Sequence, residues 1–79
     1  MQKQIDRNGW EYFEKLPEGY RVATLDDFHK NGRKMIGMEF LIKWVRKEYY
    51  QVCKVTETLT GANLKPFIEV GRVFVKDQN

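Results

Sequence analysis

The sequence predicts a small α+β fold: an antiparallel sheet of three or four strands centred on a hairpin at about residues 35–56, with short helices near 24–31 and 63–70 packed on one face. Three observations predict it. Apolar and polar residues alternate from Met35 to Thr56 with one polar interruption. Two shorter segments carry the residues that start and stop helices. The 79 residues, 42% hydrophobic and 14% aromatic, have the composition of a folded chain with room for one domain, residues 1–79.

In the hairpin, Met38, Phe40, Ile42 and Trp44 fall on one side of an extended strand, and Glu39, Leu41, Lys43 and Val45 on the other. After Arg46-Lys47-Glu48 the chain resumes as Tyr49 to Thr56, rich in aromatic and β-branched residues that suit a pleated surface. The interruption contains no Asn-Gly or Asp-Gly, so two registers compete. A three-residue loop sets Trp44 opposite Tyr50 and Ile42 opposite Val52, with Cys53 on the far side. A two- or four-residue loop sets Ile42 opposite Cys53 and Phe40 opposite Val55, burying the thiol. Cross-strand aromatic pairing favours the first.

Before the hairpin, residues 1–9 are polar and read as a loose arm. Trp10, Phe13 and Leu16, at spacing three, read as one face of a short helix closed by Pro17. Pro17-Glu18-Gly19-Tyr20 is a turn sequence, followed by a short strand at Tyr20-Arg21-Val22. Thr24 caps a helix, Asp27 reaches back to it, and Asn31-Gly32 supplies a left-handed C-cap. Gly37 marks a bulge or close backbone approach. Beyond the hairpin, Asn63 is the expected N-cap of a helix with Pro66 in its first turn and Gly71 at its end. Arg72 to Lys76 then reads as the last strand.

Composition narrows the function. Met1 to Asp6 lacks the apolar segment of a secretory signal, and no run approaches the roughly 18 apolar residues that span a bilayer, so the expectation is a cytoplasmic protein with no membrane partner. Cys53 is the single cysteine, which excludes an internal disulfide and a cysteine-ligated zinc site. The absence of serine excludes a serine nucleophile. Cys53 and His29 are the one conceivable nucleophilic pair, but they lie on different elements with no glycine-rich oxyanion loop. Asp26 and His29 share a metal-site spacing without a third ligand, and no phosphate-binding glycine motif occurs. The reading is therefore non-enzymatic, with no catalytic residues, metal or cofactor.

Two binding classes remain. From Lys30 to Lys54 there are seven basic residues against two acidic ones, a surplus able to steer an anionic partner. Lys43, Arg46, Lys47, Tyr49 and Lys54 are candidate nucleic-acid contacts, since basic side chains beside aromatics on a two-stranded ribbon can hold phosphates and stack bases. Leu41, Val45, Tyr49 and Val55 are the candidate protein-interaction face, more apolar than a solvated sheet face needs. The leading expectation is an interaction or accessory module, with a homodimer as one form of it; nucleic-acid binding through the hairpin is the alternative.

The segments Leu16-Pro17-Glu18-Gly19-Tyr20-Arg21-Val22-Ala23-Thr24, Leu64-Lys65-Pro66-Phe67-Ile68 and Gly71-Arg72-Val73-Phe74-Val75 resemble short single-domain bacterial proteins of the kind sampled by structural genomics programmes. The resemblance spans most of the chain. It implies no functional family, activity or ligand.

Overall fold

The computed structural model describes residues 3–77. In chain order these form β1 (Gln4–Ile5), β2 (Glu11–Phe13), β3 (Tyr20–Val22), a 3₁₀ turn (Leu25–Phe28), β4 (His29–Lys30), β5 (Arg33–Lys34), β6 (Glu39–Lys43), β7 (Tyr50–Lys54), α1 (Gly61–Glu69) and β8 (Val73–Lys76). The α+β class holds. The sheet is larger than the three or four strands expected: six antiparallel strands in the order β1-β2-β7-β6-β8-β3, with β4-β5 as a separate ribbon.

Two of the extra strands come from the segment read as an arm and a helix. Gln4 pairs with Tyr12 and Ile5 with Glu11. Their turn is built by Asp6, whose carboxylate accepts from the amides of Asn8 at 2.8 Å and Trp10 at 3.0 Å, while Gly9 takes a φ of 82°. Met1 and Gln2, the start of the expected arm, lie outside the described residues. With β2 paired to β7, the operative period at Glu11 to Phe13 is two and not three: Phe13 is buried on one side of the sheet and Tyr12 falls on the other, with exposed Trp10 just before the strand.

The helix expected at 24–31 shortens to one 3₁₀ turn. Its cap forms as read, with the Thr24 amide donating to Asp27 Oδ2 at 2.7 Å. Asn31 (φ 55°) and Gly32 (φ 75°) are instead the two-residue loop of the β4–β5 hairpin, the use of Asn-Gly that a primed turn demands. Gly37 does mark a bulge: its amide donates to the Val55 carbonyl at 2.8 Å while the Val55 amide donates to Met38 at 2.9 Å, so two residues oppose one.

The hairpin register is neither of the two expected. Phe40 lies opposite Cys53, Leu41 opposite Val52, Ile42 opposite Gln51 and Lys43 opposite Tyr50, leaving Trp44 to Tyr49 as the loop. Tertiary partners outweigh cross-strand aromatic pairing. Trp44 turns onto Phe67 of α1, with ring centroids 5.4 Å apart at 79°, and its indole N–H donates to Gln51 Oε1 at 2.6 Å. Cys53 consequently shares the side of Phe40 and is half-buried.

Helix α1 is capped by Thr60, with Asn63 as its reciprocal partner: Thr60 N and Oγ1 donate to Asn63 Oδ1 at 3.2 and 3.0 Å. Because the cap falls at Thr60 and not at Asn63, Pro66 lies inside the helix beyond the first turn expected for it, on an exposed face. Gly71 (φ 74°) ends it in a Schellman motif, with Arg72 N donating to Phe67 O at 2.9 Å and Gly71 N to Ile68 O at 3.0 Å. Leu64 and Ile68 press onto Phe40, Ile42, Val73 and Val75, and Phe28 packs edge-on against Phe40. Among the described residues no helix is long and apolar enough to cross a membrane.

The sheet side away from α1 is also covered. Leu41 there is 0% exposed, and Tyr50 packs edge-on against Phe74 at 5.4 Å. The connection 14–19 carries the chain from the second sheet position to the sixth, with Leu16 and Pro17 half-buried along it. Lys3 pairs with Glu11 at 3.6 Å and with Glu39 at 3.8 Å.

Candidate nucleic-acid interface

The hairpin tip collects positive charge. Lys43 and Arg72 are adjacent across the β6–β8 ladder, with Lys43 N donating to Arg72 O at 2.9 Å and Arg72 Nη1 to Lys43 O at 3.4 Å. The tip loop adds exposed Arg46 and Lys47, the latter tied back by a 3.2 Å bond from its amide to the Trp44 carbonyl. Among the described residues, none of Lys43, Arg46, Lys47, Lys54 or Arg72 has a carboxylate within 4.0 Å. Glu48 is the one acid in the loop.

Two of these cations lie over tyrosines. Lys43 Nζ is 5.4 Å from the Tyr50 ring centroid and Lys47 Nζ is 5.8 Å from that of Tyr49. Tyr49 stacks on Tyr12 of β2, centroids 4.4 Å apart and planes tilted 31°. Of the five nucleic-acid candidates, Lys43, Arg46, Lys47 and Tyr49 thus belong to one end of the hairpin. Lys54 is at the far end of β7. Arg72 and Tyr12 were outside the sequence reading, Arg72 because strand order alone brings it to Lys43.

The four residues expected to form a protein-interaction face do not share a surface. Leu41 is buried on the side away from α1, Val55 is buried in the core beneath α1, Tyr49 is half-buried against Tyr12, and Val45 alone is largely exposed. The register explains this, because Leu41 and Val55 point to opposite sides of the sheet.

Gln51 lies opposite Tyr12 in the β2–β7 register and is buried. Its Oε1 is taken by Trp44, and its buried Nε2 has no hydrogen-bond partner. Burial pushes the Cys53 thiol up, opposed only in part by the Gln51 amide, so the thiol stays protonated at neutral pH. His29 has other neighbours: its ring lies against Gly61, where an added Cβ would come within 3.2 Å of Cε1. Among the described residues no three His, Cys, Asp or Glu side chains converge as metal ligands.

At the other end of the sheet the β6–β8 ladder covers only Leu41 with Phe74 and Ile42 with Val73. Beyond it the strands part, and a cavity of about 350 Å³ opens over Met35, Met38 and Val75. Its charged walls offset one another, Arg21 being bonded to Asp27 and Lys30 and Lys76 sharing the rim with Asp77. Comparison with protein-family models, curated proteins and solved structures finds no match to this chain.

Proposed function

We propose that this chain is a non-enzymatic binding module whose ligand is a nucleic acid, held by the β6–β7 tip. The observation that carries the reading is the set of Lys43, Arg46, Lys47 and Arg72 at one end of the hairpin, with Lys43 and Lys47 over tyrosines on opposite sides of the sheet and no carboxylate within 4.0 Å of any of the four among the described residues. Cations left without acids have a strong field to offer a polyanion, and displacing counterions from its phosphates drives binding. Tyr49 and Tyr50 beside them supply aromatic surface for bases. A protein partner or a second copy of the chain is the other class; Leu41 and Val55, buried on opposite sides, lend it less.

The test is fluorescence anisotropy with labelled mixed-sequence single strands and duplexes at low salt. Binding that weakens steeply as salt rises is the expected result. No binding of either form at low salt overturns the reading, and slow sedimentation-equilibrium association of the free protein would then redirect it to self-assembly.

A further inference from the structure

We infer that Trp10, Tyr12 and Tyr49 form a stacking shelf for unpaired nucleobases, which makes the ligand single-stranded; this rests on the nucleic-acid reading above. Trp10 immediately precedes β2 and stands two residues from Tyr12, so continuing the strand alternation puts it on the side where Tyr49 meets Tyr12. Trp10 is 54% exposed, unusual for an indole in so short a chain with so few other core residues to spare. Tyr12 and Tyr49 are half-buried and braced by each other, so they form one fixed platform at little entropic cost.

Cations stand at both ends of this shelf. Arg46 and Lys47 flank the Tyr49 end, and exposed Arg7, in the β1–β2 turn, flanks the Trp10 end. Among the described residues Arg7 also lacks a carboxylate within 4.0 Å. A strand crossing from the tip to the turn therefore meets phosphate partners before and after the aromatics.

Spacing selects the single strand. Same-side residues two apart on a strand are separated by roughly 6.6 Å. Successive bases along one strand of a duplex rise by about 3.4 Å. Bases seated on Trp10 and on the Tyr12–Tyr49 pair must therefore be pulled apart from each other, which a flexible strand allows and a stacked duplex does not.

The experiment measures anisotropy of a mixed-sequence single strand and of an abasic strand of equal length, against the wild type, Trp10→Ala and Lys47→Ala. The expected result is that Trp10→Ala weakens binding of the base-bearing strand by about tenfold, as loss of one stacking partner does, and leaves the abasic strand unaffected. Lys47→Ala should weaken both strands. In the unmodified protein, indole fluorescence should be quenched by the base-bearing strand and not by the abasic one, a readout independent of any variant. If Trp10→Ala and wild type bind both strands alike while Lys47→Ala weakens both, the shelf is wrong and the electrostatic reading stands. If the wild type binds neither strand, both fail.

Discussion

Replacing Asp27 by asparagine probes how the β3 edge is joined to the 3₁₀ turn. Arg21 grips the Asp27 carboxylate with two bonds, Nη2 to Oδ1 at 2.8 Å and Nη1 to Oδ2 at 2.9 Å, and the Thr24 amide adds a third at 2.7 Å. The Arg21 guanidinium, helped by the Thr24 amide and opposed by burial, lowers the Asp27 pKa from 3.8 to about 2. Full linkage of such a shift corresponds to roughly 2.5 kcal/mol. Arg21 is 45% exposed, and water screens the pair, which reduces this to about 1 kcal/mol. Because the folded pKa is depressed, the contribution is complete above the unfolded value and is lost as pH falls through about 2. Urea unfolding followed by tryptophan fluorescence should therefore find Asp27→Asn about 1 kcal/mol less stable at pH 7, with the gap closing towards pH 2. An equal gap at both pH values, or none at pH 7, would refute the ion-pair account.

Other consequences concern the packing. Leu41→Ala should cost about 2 to 5 kcal/mol in the same unfolding assay, because Leu41 is fully buried on the side away from α1; a cost near zero would mean that this side is solvated. Gly61→Ala should lower the melting temperature by roughly 4 to 8 °C per kcal/mol lost, despite alanine's better helix propensity, since its Cβ would lie 2.9 Å from Phe28 Cβ. Cys53 should react slowly with a thiol-disulfide reagent at pH 8 and quickly once unfolded, as expected of a half-buried thiol with a raised pKa. Equal rates would show that the thiol is open to solvent.

The parts of the fold legible in the sequence are those set by local chemistry. The Thr24 cap and the end of α1 at Gly71 each depend on residues a few positions apart, and each forms; the Gly37 bulge and the Tyr20–Val22 strand also form, announced by a local glycine and a local turn although their partners, Val55 and β8, lie far along the chain. The failures have a common physical origin. Trp10, Phe13 and Leu16 fit a helical spacing, but Trp10 and Tyr12 also fit a strand, and pairing with β7 decides between them. Asn31-Gly32 suits both a helix end and a primed hairpin turn; the short flanking strands were too brief to announce themselves. The hairpin register depended on Phe67, a residue far along the chain that draws Trp44 away from Tyr50. Of the site, the tip cations were readable as a run of charge. Arg72, Trp10 and Tyr12 were not, because only sheet order brings β2 and β8 to the two flanks of the β6–β7 hairpin. The alternation of Trp10 with Glu11, Tyr12 and Phe13 was the available signal.

The central claim is tested most directly by heteronuclear NMR of the labelled protein, titrated at low salt with a mixed-sequence single strand. The account predicts shifts concentrated at Lys43, Arg46, Lys47, Tyr49 and Arg72, reversing as salt is raised. A spectrum unchanged by the strand, or shifts confined to the Met38–Val75 end of the sheet, would contradict it.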